Sequence, residues 1–60
     1  MNRLYAIHSH YFDACIIVND GVIVIASPLL MNYVGVGFYT FVQYAKMHRW
    51  GIVSHGTKNN

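Results

Sequence analysis

The chain has 60 residues, a formal charge of +2 and a single cysteine, Cys15. This length limits it to one domain, and the lone cysteine excludes an internal disulfide and fits a reducing compartment. Charged residues make up only 10% and hydrophobic residues 55%, against a typical charged share of about 25%, so the surface must include contiguous apolar area of the kind that marks an interface.

The first half of the chain predicts a β-hairpin. Residues 14–18 and 22–26 are two apolar runs rich in β-branched residues, and Asn19-Asp20-Gly21 separates them. We interpret this tripeptide as a three-residue hairpin loop in which glycine takes the left-handed conformation, because glycine reaches positive φ at no steric cost. Upstream, residues 3–7 alternate loosely between polar and apolar side chains and predict an edge strand.

The second half predicts one main helix. Ser27 and Pro28 suit the N-cap and the first position of a short helical turn that reaches Tyr33. The main helix is predicted over residues 38–48, because its apolar positions recur on one face at helical spacing, and a closing strand is predicted over residues 50–54. The apolar helical face consists of Phe38, Phe41, Val42 and Ala45.

The hairpin is apolar on both of its faces. Successive side chains of a strand point to opposite faces, yet residues 16–18 and 22–25 are apolar at every position. One short helix shelters only one face of a sheet, so the other face must be covered by a second copy of the chain or by a foreign partner. We favour a homodimer, because twofold association is the commonest oligomeric form.

Together these elements predict an α+β fold. A small antiparallel β-sheet, formed by the hairpin at residues 14–26 and by edge strands, is expected to pack on one main helix. Residues 1–54 are predicted to form a single small domain. Residues 55–60 are polar and lack periodicity, so they predict a flexible C-terminal tail.

A membrane-spanning segment is one alternative. Residues 21–45 carry no charge and are long enough to cross a bilayer, and Lys46, His48 and Arg49 follow as a cytoplasmic flank would. However, Pro28 and several glycines and polar residues break the run, which indicates short buried strands instead. The first residues also lack the layout of a signal peptide. We therefore expect a cytoplasmic protein without a membrane contact.

The residues that commonly carry chemistry do not form a recognisable site. His8 and His10 would share a face on a strand, but a structural zinc site needs four ligands at spacings that this sequence lacks; a metal held between two subunits stays open. Cys15 lies in an apolar strand, where a buried thiol is inert. The carboxylates are Asp13 and Asp20, and the turn uses the second, which leaves no acid pair. We expect no catalytic residue, no metal site and no cofactor, and hence no enzyme.

Aromatic and basic residues leave two kinds of partner open. A small nucleic-acid-binding accessory protein would stack bases on tyrosines and neutralise phosphates with basic residues; the candidates are Tyr5, Tyr11, Tyr39 and Tyr44 with Arg3, Lys46 and Arg49. Four lysines and arginines are few for such a role. We favour a protein partner, because tyrosine is enriched at protein interfaces, and the predicted contacts are the exposed hairpin face with Tyr33, Tyr39, Gln43 and Met47.

A series of short motifs runs from the hairpin to the closing strand. They are Ala26-Ser27-Pro28-Leu29-Leu30, Val34-Gly35, Val42, Tyr44, Ala45, Lys46 and Trp50. In this order, over roughly residues 14–53, they resemble a family of small proteins encoded by bacteriophages and prophages. Members look like a short apolar hairpin, a turn of the Ala-Pro-Ile-Leu type, a glycine and an amphipathic helix closed by a Gly-Trp strand. This chain departs from the pattern by Ser27 before Pro28, and by His48-Arg49 where lysine-glycine is usual.

The resemblance implies a biological setting. Small early phage proteins of this size often bind and block a host protein, such as a defence enzyme or part of the transcription machinery. The resemblance therefore implies an inhibitor or modulator of a host protein that works in the host cytoplasm through protein–protein contact. It implies no catalytic residue, because the shared motifs are structural.

Overall fold

Four strands and two helical segments make up the fold. A computed structural model describes residues 1–58 of the chain. The elements are β1 (Asn2–His8), β2 (Asp13–Asn19), β3 (Val22–Ala26), a 3₁₀ helix (Pro28–Tyr33), α1 (Phe38–Met47) and β4 (Gly51–Lys58). The strands form one antiparallel sheet in the order β3-β2-β1-β4. The predicted α+β class, with a small antiparallel sheet and one main helix, is confirmed.

The β2–β3 hairpin closes with a two-residue turn. Asn19 pairs with Val22, and Asp20 and Gly21 between them have φ values of 51° and 76°. Two consecutive positive φ values are typical of a type I′ turn, whose twist matches that of the flanking strands. The predicted three-residue loop is therefore wrong by one residue, because Asn19 belongs to the ladder and Asp20 shares the left-handed conformation with Gly21.

β1 lies in the interior of the sheet and not at its edge, where the sequence placed it. Its register with β2 runs unbroken from the Asn2–Asn19 pair to the His8–Asp13 pair, and its other side pairs with β4. This happens because β4, which follows α1, returns antiparallel along the free side of β1. Alternation along a strand predicts which face a side chain takes, but it does not predict which strands become neighbours.

β4 extends past the predicted end of the domain. It runs to Lys58, and its last two residues pair with the start of β1. Gly56 has a φ of 93°, in the region that favours glycine, and the β1–β4 register shifts beside it. This bulge absorbs an extra residue and lets the ladder continue. Residues 55–58 of the predicted tail are therefore strand, whereas Asn59 and Asn60 lie outside the described residues.

One face of the sheet carries the hydrophobic core. The strands supply its floor, and the 3₁₀ helix and α1 cover it, with Leu30, Phe41 and Ala45 as their buried residues. The core consists of Ile7, Ala14, Ile16, Val18, Ile23, Leu30, Phe41 and Ala45. Burying one isoleucine stabilises a fold by about 1.5–3 kcal/mol, so this face is the main source of stability.

The loop between the two helices protects one edge of the sheet. The Ile23 N–H donates to the Val36 carbonyl at 3.0 Å, and the Gly35 N–H donates to the Ile23 carbonyl at 2.8 Å. At the start of α1, the Phe38 N–H donates to the Gly21 carbonyl at 2.7 Å. These hydrogen bonds satisfy outward backbone groups that an edge strand otherwise exposes, and they fix α1 against the hairpin turn.

Candidate interaction surface

The sheet face opposite the helices is apolar and reaches the surface. On it, Leu4 lies opposite Ile17, and Ala6 lies opposite Cys15. β3 continues the first of these rows and β4 continues the second, and residues directly opposite one another share a face. We call this surface the open face, and its residues are Leu4, Ala6, Cys15, Ile17, Ile25 and Val53.

A bulge in β3 places Ile25 on the open face. Val18 pairs with Ile23 and Ile17 pairs with Ile25, so Val24 is an extra residue in β3. Under strict alternation Ile25 would share the buried face with Ile23, and the bulge inverts this. As a result Ile25 is 58% exposed, whereas Ile23 is fully buried.

Polar groups bound the open face at both ends. At one end, the Nδ1 of His8 lies 2.7 Å from the Oδ1 of Asp13. At the other end, Asn2 lies opposite Asn19, whose Oδ1 accepts a hydrogen bond from the Met1 ammonium at 3.1 Å. The residues of the open face between these ends are uncharged. An apolar centre within a polar rim is the usual anatomy of a protein interface.

Cys15 is exposed on the open face, which corrects the prediction of a buried thiol. Its N–H donates to the Oγ of Ser27 at 2.9 Å, and its Sγ lies 3.5 Å from the same oxygen. Ser27 therefore ties the end of β3 to β2, and its side chain makes no capping hydrogen bond to the 3₁₀ helix. As the only cysteine of the chain, Cys15 offers a single chemical reporter for coverage of the open face.

Three of the four residues predicted to bind a partner form a stripe along α1. Tyr39, Gln43 and Met47 follow one another at intervals of four residues and are all exposed, and side chains at this spacing are neighbours on a helix surface. We call these three residues the helix stripe. The buried side of α1 carries Phe41 and Ala45 against the sheet, so the helix stripe and the open face lie on opposite sides of the molecule.

Tyr33, the fourth predicted partner residue, lies apart from the helix stripe in an aromatic cluster. Its ring centre is 5.3 Å from that of Phe41, 5.4 Å from that of Tyr44 and 6.4 Å from that of Trp50. Burial raises the pKa of Tyr33 to about 12, and the adjacent Tyr44 hydroxyl adds to the rise. Edge-to-face aromatic pairs contribute about 0.5–1.5 kcal/mol beyond the area that they bury, so Tyr33 helps to seal the core.

The residues of the nucleic-acid alternative do not form one surface. Tyr5 stacks on Phe38 with ring centres 4.5 Å apart, and it lines a shallow pocket with Arg3 at one end of the sheet. Tyr11 and Arg49 line a groove at the other end. A nucleic-acid backbone would therefore meet separated cations, where a dedicated duplex binder presents a basic stripe.

The sequence did not predict the contributions of β1 and β4 to the open face. Leu4 and Ala6 alternate with Tyr5 and Ile7, and Val53 follows the half-buried Ile52 in the same way. This alternation was a readable signal. The two-sided apolar pattern was considered only for the hairpin. The flanking strands were predicted as edge strands and were not expected to extend its exposed face.

Neither a recognised type of site nor a similarity to a known protein assigns a role to this chain. Within residues 1–58, no group of three or more His, Cys, Asp or Glu side chains is placed to hold a metal ion. In the same range, no helix has both the length and the apolar character needed to cross a membrane. No protein-family model, curated protein or solved structure matches the chain. The function is therefore inferred from the surfaces described above.

Proposed function

We propose that this chain is a small protein-binding module that forms a homodimer through its open face and modulates a host protein through protein–protein contact. It acts in the host cytoplasm and does no chemistry of its own. The host setting comes from the resemblance to small bacteriophage proteins. The observation that carries the proposal is the open face, an uncharged apolar surface that is bounded by polar rows and more than half exposed at Ile25.

A second copy of the chain suits the open face. Two identical faces meet without opposing like charges, because the residues at their centre are uncharged. A lone domain of this length buries only about 60% of the surface of its unfolded chain and is marginally stable. Pairing would remove Ile25 and Val53 of both copies from water, and the self-complementary contact of a twofold dimer requires only one such surface.

The face is better suited to docking than the two edges of the sheet. The loop at residues 35–36 already bonds to the outer side of β3. On β4, the bulge at Gly56 distorts the ladder, and bulges at an edge discourage pairing with another chain. The apolar surface between the edges is therefore the part of the sheet that would lose the most water-exposed apolar area on binding a partner.

The helix stripe is the surface left for the host protein. It lies on the far side of the molecule from the open face, so a homodimer exposes two copies of it. Tyr39 offers a large aromatic area with a polar tip, and the flexible thioether of Met47 adapts to irregular partner surfaces. Two stripes on one dimer would also strengthen binding to a partner that is itself multivalent.

Sedimentation of two matched variants tests the homodimer. Ile25→Lys places a charge in the open face, and we expect it to be a monomer at concentrations where the wild type is a dimer. Tyr39→Lys makes a similar change on the helix stripe and should keep the dimer.

Alkylation of Cys15 is a second test of the homodimer. Alkylation of Cys15 should slow as wild-type concentration rises and should stay fast in Ile25→Lys. A wild type that remains monomeric at millimolar concentration, with constant Cys15 reactivity, would contradict the homodimer.

Capture from a host lysate tests the helix stripe with the same two variants. Tyr39→Lys should lose the host protein although it still dimerises, whereas Ile25→Lys should retain weaker binding because its stripe is unchanged. Equal capture by the wild type and Tyr39→Lys would remove the stripe from the proposal. Binding that is abolished by nuclease and falls steeply with salt would favour the nucleic-acid alternative.

A further inference from the structure

A groove lies between the β1–β2 loop and the end of α1, apart from both the open face and the helix stripe. It has a volume of about 450 Å³ and is lined by residues 9–12 and 48–50. This volume falls in the range of roughly 300–1,000 Å³ that is usual for small-molecule sites. It is large enough for one small ligand and too small for a duplex or a folded domain.

The loop wall of the groove is held rigidly by one serine. The Oγ of Ser9 accepts hydrogen bonds from the N–H groups of Tyr11 at 3.0 Å and Phe12 at 3.1 Å. The Ser9 N–H donates to the Phe12 carbonyl at 2.9 Å, and the Phe12 ring meets Trp50 edge-on at 5.3 Å between ring centres. The loop is thus anchored to the body of the protein, while Tyr11 remains 94% exposed.

The helix wall of the groove carries a cation at an unfavourable backbone position. After α1, the Arg49 N–H donates to the Lys46 carbonyl at 3.2 Å and the Trp50 N–H donates to the Ala45 carbonyl at 2.9 Å. This is the Schellman pattern, whose left-handed residue is usually glycine. Here that residue is Arg49, with a φ of 59°, a conformation that is unfavourable for a residue with a Cβ atom. Strain of this kind is a pointer to function.

The lining combines stacking rings with hydrogen-bond donors. The imidazole of His48 stacks on the Trp50 indole with ring centres 5.2 Å apart and an angle of 25° between the planes. The guanidinium of Arg49 and the imidazole of His10 add donors, and none of the described residues that line the groove carries a carboxylate. The carbonyls of residues 44–46 already accept hydrogen bonds from the N–H groups of residues 48–50, which reduces the negative potential that a helix C-terminus presents to an anion.

We propose that this groove binds a nucleoside phosphate, with the phosphate against Arg49 and the base stacked on the exposed ring of Tyr11. A planar ring joined to an anion is the ligand whose two halves match the two halves of the lining. Arginine suits the anion, because its planar guanidinium donates two parallel hydrogen bonds to phosphate. Base–aromatic stacking suits any base, since every base has a π-face. The site is independent of the protein contacts proposed above.

The chain supplies its own reporter for this binding. Trp50 is the only tryptophan of the chain and lines the groove, so titration with AMP should change its fluorescence. Adenosine and inorganic phosphate, each of which carries only one half of the ligand, should bind at least tenfold more weakly than AMP. A 5′-phosphorylated oligothymidylate distinguishes a free nucleotide from the end of a single strand. Tight binding of either AMP or the oligonucleotide supports the proposal and identifies the source. No change of fluorescence with either probe at millimolar concentration would overturn it.

Arg49→Gly separates binding from folding. Glycine relieves the left-handed backbone, so this variant should fold at least as well as the wild type and yet bind AMP about tenfold more weakly. Lys46→Gln is the matched control, because it also removes one positive charge but lies outside the groove lining, and it should change AMP binding less than twofold. Equal losses in the two variants would show a general charge effect and would contradict a site at Arg49. Tyr11→Ser should also weaken AMP binding, and unchanged affinity there would contradict the stacking contact.

Discussion

Isoleucines on the two faces of the sheet have opposite environments although they lie within one or two residues of each other in the chain. Ile16 and Ile23 are fully buried, whereas Ile17 is half-buried and Ile25 is 58% exposed. The core face is completed within one chain because Phe41 covers it from α1. The open face carries the same kind of side chain and receives no helix. Side-chain type therefore predicts a tendency to be covered, and the topology decides whether the cover comes from the same molecule.

Alanine substitutions at the adjacent residues Ile16 and Ile17 should give the largest difference in stability between the two faces. We expect Ile16→Ala to destabilise the protein by about 2–5 kcal/mol, because it opens a cavity in a closed core. Ile17→Ala should cost less at low protein concentration, since its side chain is already partly hydrated in the monomer. Urea-induced unfolding of each variant, followed by Trp50 fluorescence, gives the two free energies of unfolding.

Measuring the unfolding of these two variants at several protein concentrations tests whether the open face is covered in a dimer. If the open face is covered in a homodimer, the free energy of unfolding of the wild type rises with protein concentration. The deficit in this free energy caused by Ile17→Ala should then also grow with concentration. The deficit of Ile16→Ala should stay constant, because the core lies within one chain. If the loss of stability caused by Ile17→Ala does not change with protein concentration, the open face remains exposed to solvent.

The contrast between the faces also marks the limit of what the sequence predicts. Asn19-Asp20-Gly21 predicted the hairpin, with a loop one residue too long, and the apolar face of residues 38, 41, 42 and 45 predicted α1 to within one residue of its end, because both are local signals. The bulge at Val24 has no such signal, since every residue of β3 suits a regular strand.

Non-local pairing accounts for the other failures. The position of β1 between β2 and β4 depends on where the chain returns after α1, which no window of local sequence contains. The exposure of Cys15 follows from that topology, because its face is the one that the helices do not cover. Arg49 in a left-handed conformation was also unforeseen, although its place directly after the helix, where glycine is usual, was a readable signal.

Alkaline pH should lower the free energy of unfolding, because Tyr33 packs over the core face as a neutral phenol. Because the pKa of Tyr33 is raised to about 12 from 10, the unfolded chain loses this proton first as the pH rises. The contribution of the neutral phenol is therefore fully present below pH 10 and is lost progressively between pH 10 and 12. Urea unfolding at a series of pH values measures this loss.

Tyr33→Phe is the control for the alkaline effect. It keeps the ring packed against Phe41 and Trp50 but removes the titrating hydroxyl, so the decline between pH 10 and 12 should become shallower than in the wild type. The open face should be unaffected by this substitution, because Tyr33 packs on the opposite side of the sheet against Phe41 and Trp50. An unchanged decline in Tyr33→Phe would assign the alkaline sensitivity to other groups.

The smallest expected effect is a gain, and it concerns the end of the helix that covers the core face. Arg49→Gly removes a left-handed strain of about 1–2 kcal/mol but gives the unfolded chain more freedom, worth about 0.4–1 kcal/mol, so we expect a net stabilisation of about 1 kcal/mol or less in urea unfolding. Asp20→Gly is the matched control at the other non-glycine residue with a positive φ among the described residues, and its gain should be smaller because aspartate tolerates this conformation better. A gain at Arg49 accompanied by loss of AMP binding would mean that the chain keeps a less stable helix end for its ligand, whereas no gain would remove strain as an argument for the groove.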